Sequence, residues 1–599
     1  MSDTDTDQDG SETEHQRLVG SGEALEAVTR IRKQSHPPCV APTRRNMGIM
    51  AGGIVLLSVL AASAAYLSGM SACTLVDVTT DCGVIRGTHS NLAYVFKGVP
   101  YAKPPLGPLR WRPPQNLSSS CWNGTLDATK FKSMCAQVQP LSANGTVMGS
   151  EDCLYLNVWT PSLGSKAKLP VMVWIHGGYL HIFSGSEEGY SPTEEFTAKT
   201  KVVHVSFNYR LNAFGFMALQ MLREGSPTKT SGNYGFMDQI AALQWVQNNI
   251  HAFGGDPAKV TIYGQSSGGT SVWAMMTSPL AKGLFKGAID MSGSYVYTAT
   301  MAQAEKDNLV FLKNTGCKDL RCLRNLTPGK ILKAIPWAEY PTWSGDDLTD
   351  LPTKGSLIGP VAIVDGYVLP APPLEIWKKK MPGYSDVPFV VGTTMQEAEF
   401  GPLYSNISSW TEEDFRWQVK KHLDTFGGTL TSDALKLYPI TDFCKQPMEE
   451  RCIEKAYMTM VSDLRATCPN SDLAKQAAAT LSSPVYRYVV TYTPSRPANP
   501  SSIMSFNSWF AYHILDIFAL YGTLDLAQTG TTVEDRDFER LVRKYLVHFA
   551  KNGVMPSEWP AYPNHTALLS TSLTVVPEYY PARCALWEKG GLFAYAWIN

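Results

Sequence analysis

Gly264-Gln265-Ser266-Ser267-Gly268 sets a serine between two glycines, directly after the β-rich run Val260-Thr261-Ile262-Tyr263 and before a stretch of helical character. A serine hydroxyl can attack a carbonyl only when it projects clear of its own backbone. Flanking glycines remove the side chains that would block a strained strand-to-helix turn. The segment reads as a nucleophile elbow with Ser266 as the nucleophile. Loops match this spacing by chance, so the strand before it and the helix after it carry the reading. A second element, His176-Gly177-Gly178-Tyr179, follows Pro170–Ile175. A glycine-rich loop at a strand end can aim backbone N–H groups where a carbonyl oxygen becomes negative. The expected donors are the amides of Gly178, Tyr179 and Ser267.

Such a nucleophile needs a base, and the base needs an acid that orients it and stabilises its charged form. With the chain order serine, acid, histidine, the histidines beyond Ser266 are His422, His513, His548 and His565. His422 is expected in a charged, exposed helix, His548 in the helical pattern 541–551, and His565 inside a glycosylation sequon. His513 follows a strand and a loop, in Trp509-Phe-Ala-Tyr-His513-Ile-Leu-Asp516, and is the best-placed base. Glu397 and Glu399 both lie just past the strand-like run Val387–Val391, and spacing does not choose between them.

The elements that must position these groups alternate. Strand-like runs at Pro170–Ile175, Val202–Phe207, Val260–Tyr263, Val387–Val391 and Val485–Tyr492 are rich in Val, Ile, Tyr or Phe. After Gly235, the residues Phe236, Ile240, Leu243, Val246 and Ile250 recur at intervals of three and four until Gly254-Gly255 stops the helix. Continuous apolar strands between amphipathic helices predict an α/β fold, a mostly parallel central sheet covered on both faces. Sites in such sheets form at the carboxyl ends of strands.

The chain has 599 residues, 18% of them charged, and a formal net charge of −1. No global field draws it to nucleic acid or to an acidic partner, and a neutral or apolar substrate is expected. Residues 1–46 run from acidic (Asp3, Asp5, Asp7, Asp9, Glu12, Glu14) to basic (Arg30, Arg32, Lys33, Arg44, Arg45) without apolar periodicity, and are expected to be a disordered tail. Residues 47–69 carry no charge and, at about 1.5 Å per residue, are long enough to cross a hydrocarbon core of about 30 Å. Arg44 and Arg45 abut this span, so the positive-inside rule keeps the tail cytosolic and sends residues 70–599 across the membrane in type II topology. A cleaved signal peptide fits a 46-residue leader poorly.

Sequons at Asn116, Asn123, Asn144, Asn325, Asn406 and Asn564 agree with a lumenal or extracellular ectodomain. Of twelve cysteines only Cys39 precedes the span, so eleven enter an oxidising compartment. That odd number implies at least one thiol that is free or bonded between chains.

The stretches 150–159 (Ser-Glu-Asp-Cys-Leu-Tyr-Leu-Asn-Val-Trp), 207–211 (Phe-Asn-Tyr-Arg-Leu), 232–239 (Gly-Asn-Tyr-Gly-Phe-Met-Asp-Gln) and 248–257 (Asn-Asn-Ile-His-Ala-Phe-Gly-Gly-Asp-Pro) are similar to the type-B carboxylesterase and cholinesterase family, as are 96–102 and 584–587. The resemblance runs from about residue 76 onward. It implies an α/β-hydrolase fold and a Ser/Glu/His triad that cleaves carboxylic esters through an acyl-enzyme, with no metal or organic cofactor. In that family the acid stands five residues past the strand-end glycine and the histidine opens a segment ending in glycine. Gly392 to Glu397 and His513 to Gly522 follow that pattern, which selects Glu397 and holds Glu399 in reserve. The resemblance also implies the disulfides Cys135–Cys153, Cys317–Cys322 and Cys468–Cys584. In the chain-entropy model the first, closing about 18 residues, contributes about 3 kcal/mol and would hold the gorge wall. Cys73, Cys82, Cys121, Cys444 and Cys452 take no pairing from it, and Cys444 with Cys452 is a guess.

Departures from the family pattern narrow the substrate. Residues 136–152 contain no aromatic, whereas cholinesterases carry there a tryptophan that binds quaternary ammonium by cation–π attraction. Gln265 replaces their glutamate before the nucleophile. Both changes point to neutral esters rather than choline esters. Tyr179 replaces the third glycine of the oxyanion loop; its N–H survives, and its ring is expected to narrow the acyl pocket or bias the loop. The alternative is a catalytically weak or inactive adhesion ectodomain, the use that neuroligins and neurotactin-like type II proteins make of this fold. Expected partners are a small-molecule ester and the membrane through the span, with no nucleic acid. The adhesion alternative adds a protein partner or a homodimer.

Overall fold

The structure, a computed structural model, describes residues 73–597 apart from 118–120, 140–144, 295–297, 337–347, 349–350, 352–358, 360, 400–405, 445–450 and 500–506. The expected tail at 1–46 and span at 47–69 lie outside the described residues. Among the described residues, no helix is long and apolar enough to cross a membrane.

A 13-stranded sheet organises the body. In spatial order its strands are Thr74–Thr80, Gly83–His89, Tyr94–Pro100, Tyr155–Thr160, Val203–Phe207, Leu169–Ile175, Gly255–Gln265, Gly287–Met291, Phe389–Thr394, Val485–Val490, Thr566–Leu569 and Leu573–Val576. The short Thr125–Asp127 pairs beside Gly83–His89. Every neighbouring pair from Val203–Phe207 through Thr566–Leu569 is parallel, and the flanks are antiparallel apart from the parallel pairing of Thr125–Asp127 with Gly83–His89. The five strands expected from sequence all form, with shifted ends. Val260–Tyr263 is the end of a longer strand, and the run begun at Val485 stops at Val490.

Side chains alternate across the pleat, so each central strand feeds two cores. Val171, Val173 and Ile175 join Val260 and Ile262 on one face, where the helix Tyr234–Asn249 packs Phe236, Ile240 and Leu243 against them. Met172 and Trp174 join Tyr263 and Ile289 on the other, beneath Phe538, Val542 and Leu546 of the helix Val533–Asn552. This two-sided burial is why the strands read as apolar runs rather than alternating ones. The helix Tyr234–Asn249 is followed by one 3-10 turn and ends where Gly254 takes φ +82°, a left-handed conformation suited to glycine.

Register and chain order locate the functional edge. Ile175 pairs with Gly264, Gln265 with Met291, and Met291 with Gly392, two residues before the last strand of these ends at Thr394, so the loops that continue from these strands leave the sheet on one side. From Leu169–Ile175 the chain goes first to the Val203–Phe207 side and then to the Gly255–Gln265 side. That reversal opens a crevice between the carboxyl ends of the two strands, the usual place for a ligand in a doubly covered sheet.

Candidate active site

Ser266 stands at the switch between the strand Gly255–Gln265 and the helix Ser267–Thr277, with φ +60° and ψ −130°. A non-glycine residue there costs about 1–3 kcal/mol and persists only where its surroundings impose it. They do so here. The Ser266 amide donates to the Met291 carbonyl at 2.8 Å, and its carbonyl accepts the Thr270 amide at 3.0 Å. A Cβ at Gly264 would strike the Gly268 carbonyl, and one at Gly268 would strike the Ile175 carbonyl. Both glycines are therefore required by close approach. The helix that starts at Ser267 turns its first N–H groups and the positive end of its dipole toward the serine.

The loop after Ile175 crosses in front of this turn. Gly178 has φ +106°, and Tyr179, Leu180 and Phe183 have φ of +59°, +61° and +75°. Such a run of left-handed non-glycine residues needs external support. The Leu180 amide donates to Ser267 Oγ at 3.1 Å, and the His181 and Ile182 amides return to the Gly178 carbonyl. His176 stacks on Tyr209, whose hydroxyl donates to the His176 carbonyl at 2.7 Å. Burial pushes the His176 imidazole down to about 4, so it stays neutral. Tyr190 accepts the Gly177 amide at 3.2 Å and donates to Gln265 Oε1 at 2.5 Å, while Gln265 Nε2 donates to the His513 carbonyl at 3.0 Å. One hydrogen-bonded line thus ties the glycine loop, the elbow and the histidine loop together.

Glu397 and His513 meet. His513 Nδ1 lies 2.5 Å from Glu397 Oε2, with the carboxylate fully buried and the imidazole 2% exposed. Glu397 Oε1 accepts the Ser292 hydroxyl and the Thr394 amide, each at 2.6 Å. The Arg487 guanidinium, buried among the Val391 carbonyl, Thr393 Oγ1 and the Thr467 carbonyl, interacts electrostatically with this carboxylate. Trp597 packs on the His513 ring at 4.9 Å and 89°. It is held by its amide to the Arg465 carbonyl at 3.0 Å, while Arg465 Nη1 donates to the Tyr595 carbonyl at 2.6 Å.

The other histidines and the reserve acid stand elsewhere. His422 lies in the helix Glu412–Leu423 but is buried, correcting the exposed position expected; it faces the cluster of Phe415 and Val419, and a helix can be charged on one side only. His548 sits half-buried in the helix Val533–Asn552, and His565 just before the strand Thr566–Leu569. The Glu399 carboxylate bonds to the backbone of Trp509 and Phe510 instead of to an imidazole. Sequence reasoning missed Ser292, Tyr190 and Trp597. Ser292 follows a strand end on the functional edge and could have been sought there, whereas Trp597 stands in no motif.

Disulfides join Cys135 to Cys153, Cys317 to Cys322, Cys468 to Cys584, Cys444 to Cys452 and Cys82 to Cys121. Cys73 is disulfide-bonded too and no described cysteine is free; of the two outcomes expected from the odd count, free or bonded between chains, the free thiol is not found among the described residues. Asn116, Asn123, Asn325, Asn406 and Asn564 are exposed, as carbohydrate requires; Asn144 lies outside the described residues. Among the described residues no His, Cys, Asp or Glu cluster could hold a metal ion.

Comparison with known proteins agrees with this geometry. Residues 75–587 match the model of the carboxylesterase family. Para-nitrobenzyl esterase of Bacillus subtilis (strain 168) is 33% identical over 514 residues, covering 83% of this chain and 95% of that protein. Liver carboxylesterase 1 of Oryctolagus cuniculus is 33% identical, covering 78% and 83%. Neurotactin of Drosophila melanogaster is 29% identical, covering 86% of this chain but 56% of its own length. A solved PNB esterase superposes with a TM-score of 0.67 at 31% identity, covering 86% of this chain and 99% of that one.

Proposed function

The chain belongs to the carboxylesterase family and is a serine hydrolase of carboxylic esters, and from that premise we propose that Ser266, His513 and Glu397 are its catalytic triad. His513 takes the Ser266 proton as the hydroxyl attacks the ester carbonyl, and Glu397 steadies the imidazolium that forms. The amides of Gly178, Tyr179 and Ser267 receive the oxyanion. The alcohol leaves with the proton from His513, and water then repeats the sequence on the acyl-enzyme. The observation that carries this reading is the 2.5 Å contact of Glu397 Oε2 with His513 Nδ1. It fixes the tautomer so that Nε2 is the nitrogen that exchanges the proton. No step requires a metal or an organic cofactor.

The substrate class we propose is neutral esters. Residues 136–152 offer no aromatic face for a quaternary ammonium. Gln265 brings no negative charge to the nucleophile, and its amide is committed to Tyr190 and the His513 carbonyl. A fluorophosphonate probe is expected to label the parent and not Ser266→Ala, and the parent is expected to cleave a short neutral ester much faster than acetylthiocholine. Labelling that survives Ser266→Ala would discard this nucleophile. Absence of labelling in a folded parent would favour the adhesion reading that the likeness to neurotactin raises, and equal turnover of the two esters would discard the substrate class.

We further propose the domain plan read from sequence: a cytosolic tail at 1–46, a signal-anchor at 47–69, and a lumenal or extracellular hydrolase from residue 70 onward. The uncharged run after Arg44-Arg45 and the exposed sequon asparagines support it. The site residues proposed as glycosylated are Asn116, Asn123, Asn144, Asn325, Asn406 and Asn564.

A further inference from the structure

The segment that delivers His513 has no ladder of its own. Trp509 to Tyr512 precede the helix Leu515–Tyr521 in irregular structure, yet Phe510, Ala511 and Tyr512 are buried. Buried amides need acceptors. The Tyr512 amide turns back to the Phe510 carbonyl at 3.0 Å, whereas the acceptors for Trp509, Phe510 and Ala511 come from one short stretch, residues 396–399. Gln396 Oε1 accepts the Ala511 amide at 3.1 Å, and the Gln396 amide donates to the Ala511 carbonyl at 3.0 Å. Glu399 Oε2 accepts the Phe510 amide at 2.8 Å, and Oε1 accepts the Trp509 amide. The Glu399 carbonyl also accepts the Ser508 hydroxyl at 3.0 Å. Between these two residues Glu397 holds the imidazole itself.

We propose that Glu399 is a positioning residue, a two-pronged carboxylate clamp that sets the His513 loop at the depth where Nδ1 meets Glu397. The inference rests on the triad reading and deepens it. Glu397 and His513 are 116 residues apart, so their contact survives only if both segments share a frame. The stretch 396–399 is that frame, because its side chains at 396, 397 and 399 bind Ala511, His513 and the Trp509–Phe510 backbone respectively. Glu399 is 1% exposed, so water cannot replace its carboxylate. Burial pushes the Glu399 carboxyl well above the usual carboxylate range, and the nearby Glu454 adds to this. The amides of Trp509 and Phe510 oppose it, as does, more weakly, the Arg451 guanidinium, which lies 4.4 Å over the Trp509 ring and is bonded to Glu454. An apolar side chain at 399 would leave the buried Phe510 amide and the half-buried Trp509 amide without these acceptors, and the loop would move to find others.

The test compares Glu399→Leu, Glu399→Gln and His513→Ala with the parent as full chains in detergent, using p-nitrophenyl acetate. Glu399→Leu is expected to lower kcat about 100-fold while KM stays within about threefold, the signature of a displaced catalytic group. Glu399→Gln, with one acceptor oxygen in place of two, is expected to lower kcat about tenfold. The downfield proton resonance of the imidazole N–H should weaken in the Gln variant and vanish in the Leu variant. The clamp is overturned if either folded variant keeps kcat within about threefold of the parent, or if the loss lies in KM. Should Glu399→Leu not fold, the Gln variant decides. A fully active His513→Ala would sink the triad reading itself; an inactive one beside a fully active Glu399→Gln would sink only the clamp.

Discussion

A glutamine precedes Ser266, the proposed nucleophile, because two partners of opposite polarity converge there. Gln265 must accept the Tyr190 hydroxyl and donate to the His513 carbonyl. A carboxylate could do only the first, and its charge would face a carbonyl oxygen in a buried site. Tyr179 makes the complementary case. Its φ of +59° costs about 1–2 kcal/mol that glycine would not incur, and its ring packs beside the second core. If its role toward the oxyanion is carried by the backbone N–H, Tyr179→Gly keeps or raises turnover of short esters, measured as kcat/KM. A loss of about 100-fold would mean instead that the tyrosine side chain supplies the stabilisation.

At the scale of elements, the site is the consequence of parallel register. Ile175, Gln265 and Met291 end their strands within one residue of a common level, and Phe389–Thr394 runs two residues past Gly392 on that side, so the glycine loop, Ser266, Ser292 and Glu397 follow from neighbouring strands without long connections. The same two-sided burial also makes the sheet sensitive to acid. His204, in Val203–Phe207, is fully buried, bonds Thr200 Oγ1 at 2.9 Å and packs on Phe196. Burial, with a smaller contribution from Lys551, pushes its imidazole down to about 3. The unfolded chain takes up this proton near its ordinary value of about 6.5. His204 therefore costs nothing above that pH and destabilises the fold progressively as pH falls toward 3. Between pH 7 and pH 5 the parent is expected to lose about 2 kcal/mol more than His204→Gln, read from thermal unfolding across pH. Parallel curves for the two proteins would remove His204 as the source.

At the scale of the whole molecule, distant segments are fastened to one frame. Cys468–Cys584 closes 116 residues, a constraint of about 5 kcal/mol in the chain-entropy model. It anchors the helix Pro581–Lys589, from which the chain continues to Trp597 on the His513 ring. The anchoring plan belongs to this scale as well. The full chain is expected to resist extraction by alkaline carbonate, to shift on treatment with a peptide N-glycosidase, and to lose its hydrolase portion to protease added outside intact cells. Release of the intact chain by carbonate would refute the span, and protection of the hydrolase portion within vesicles open to the cytosol would leave only a lumenal location.

The elbow, the glycine loop and the alternation of strands and helices could be read directly from residues 170–268, because backbone strain and apolar periodicity are local and each leaves its mark in consecutive residues. The uncharged run at 47–69 was legible for the same reason. His513 was preferred by chain order, but Glu397 and Glu399 were equivalent by spacing, and family likeness rather than spacing selected one. The tertiary structure gives the physical ground for separating them, turning one carboxylate to an imidazole and the other to two amides. Those partners lie more than a hundred residues away in sequence, and no local pattern records which of two neighbouring side chains a distant loop will meet. The pairing of Cys82 with Cys121 and the place of Trp597 were undecidable in the sequence on the same ground, since contact order in space is set by how the whole sheet twists and packs.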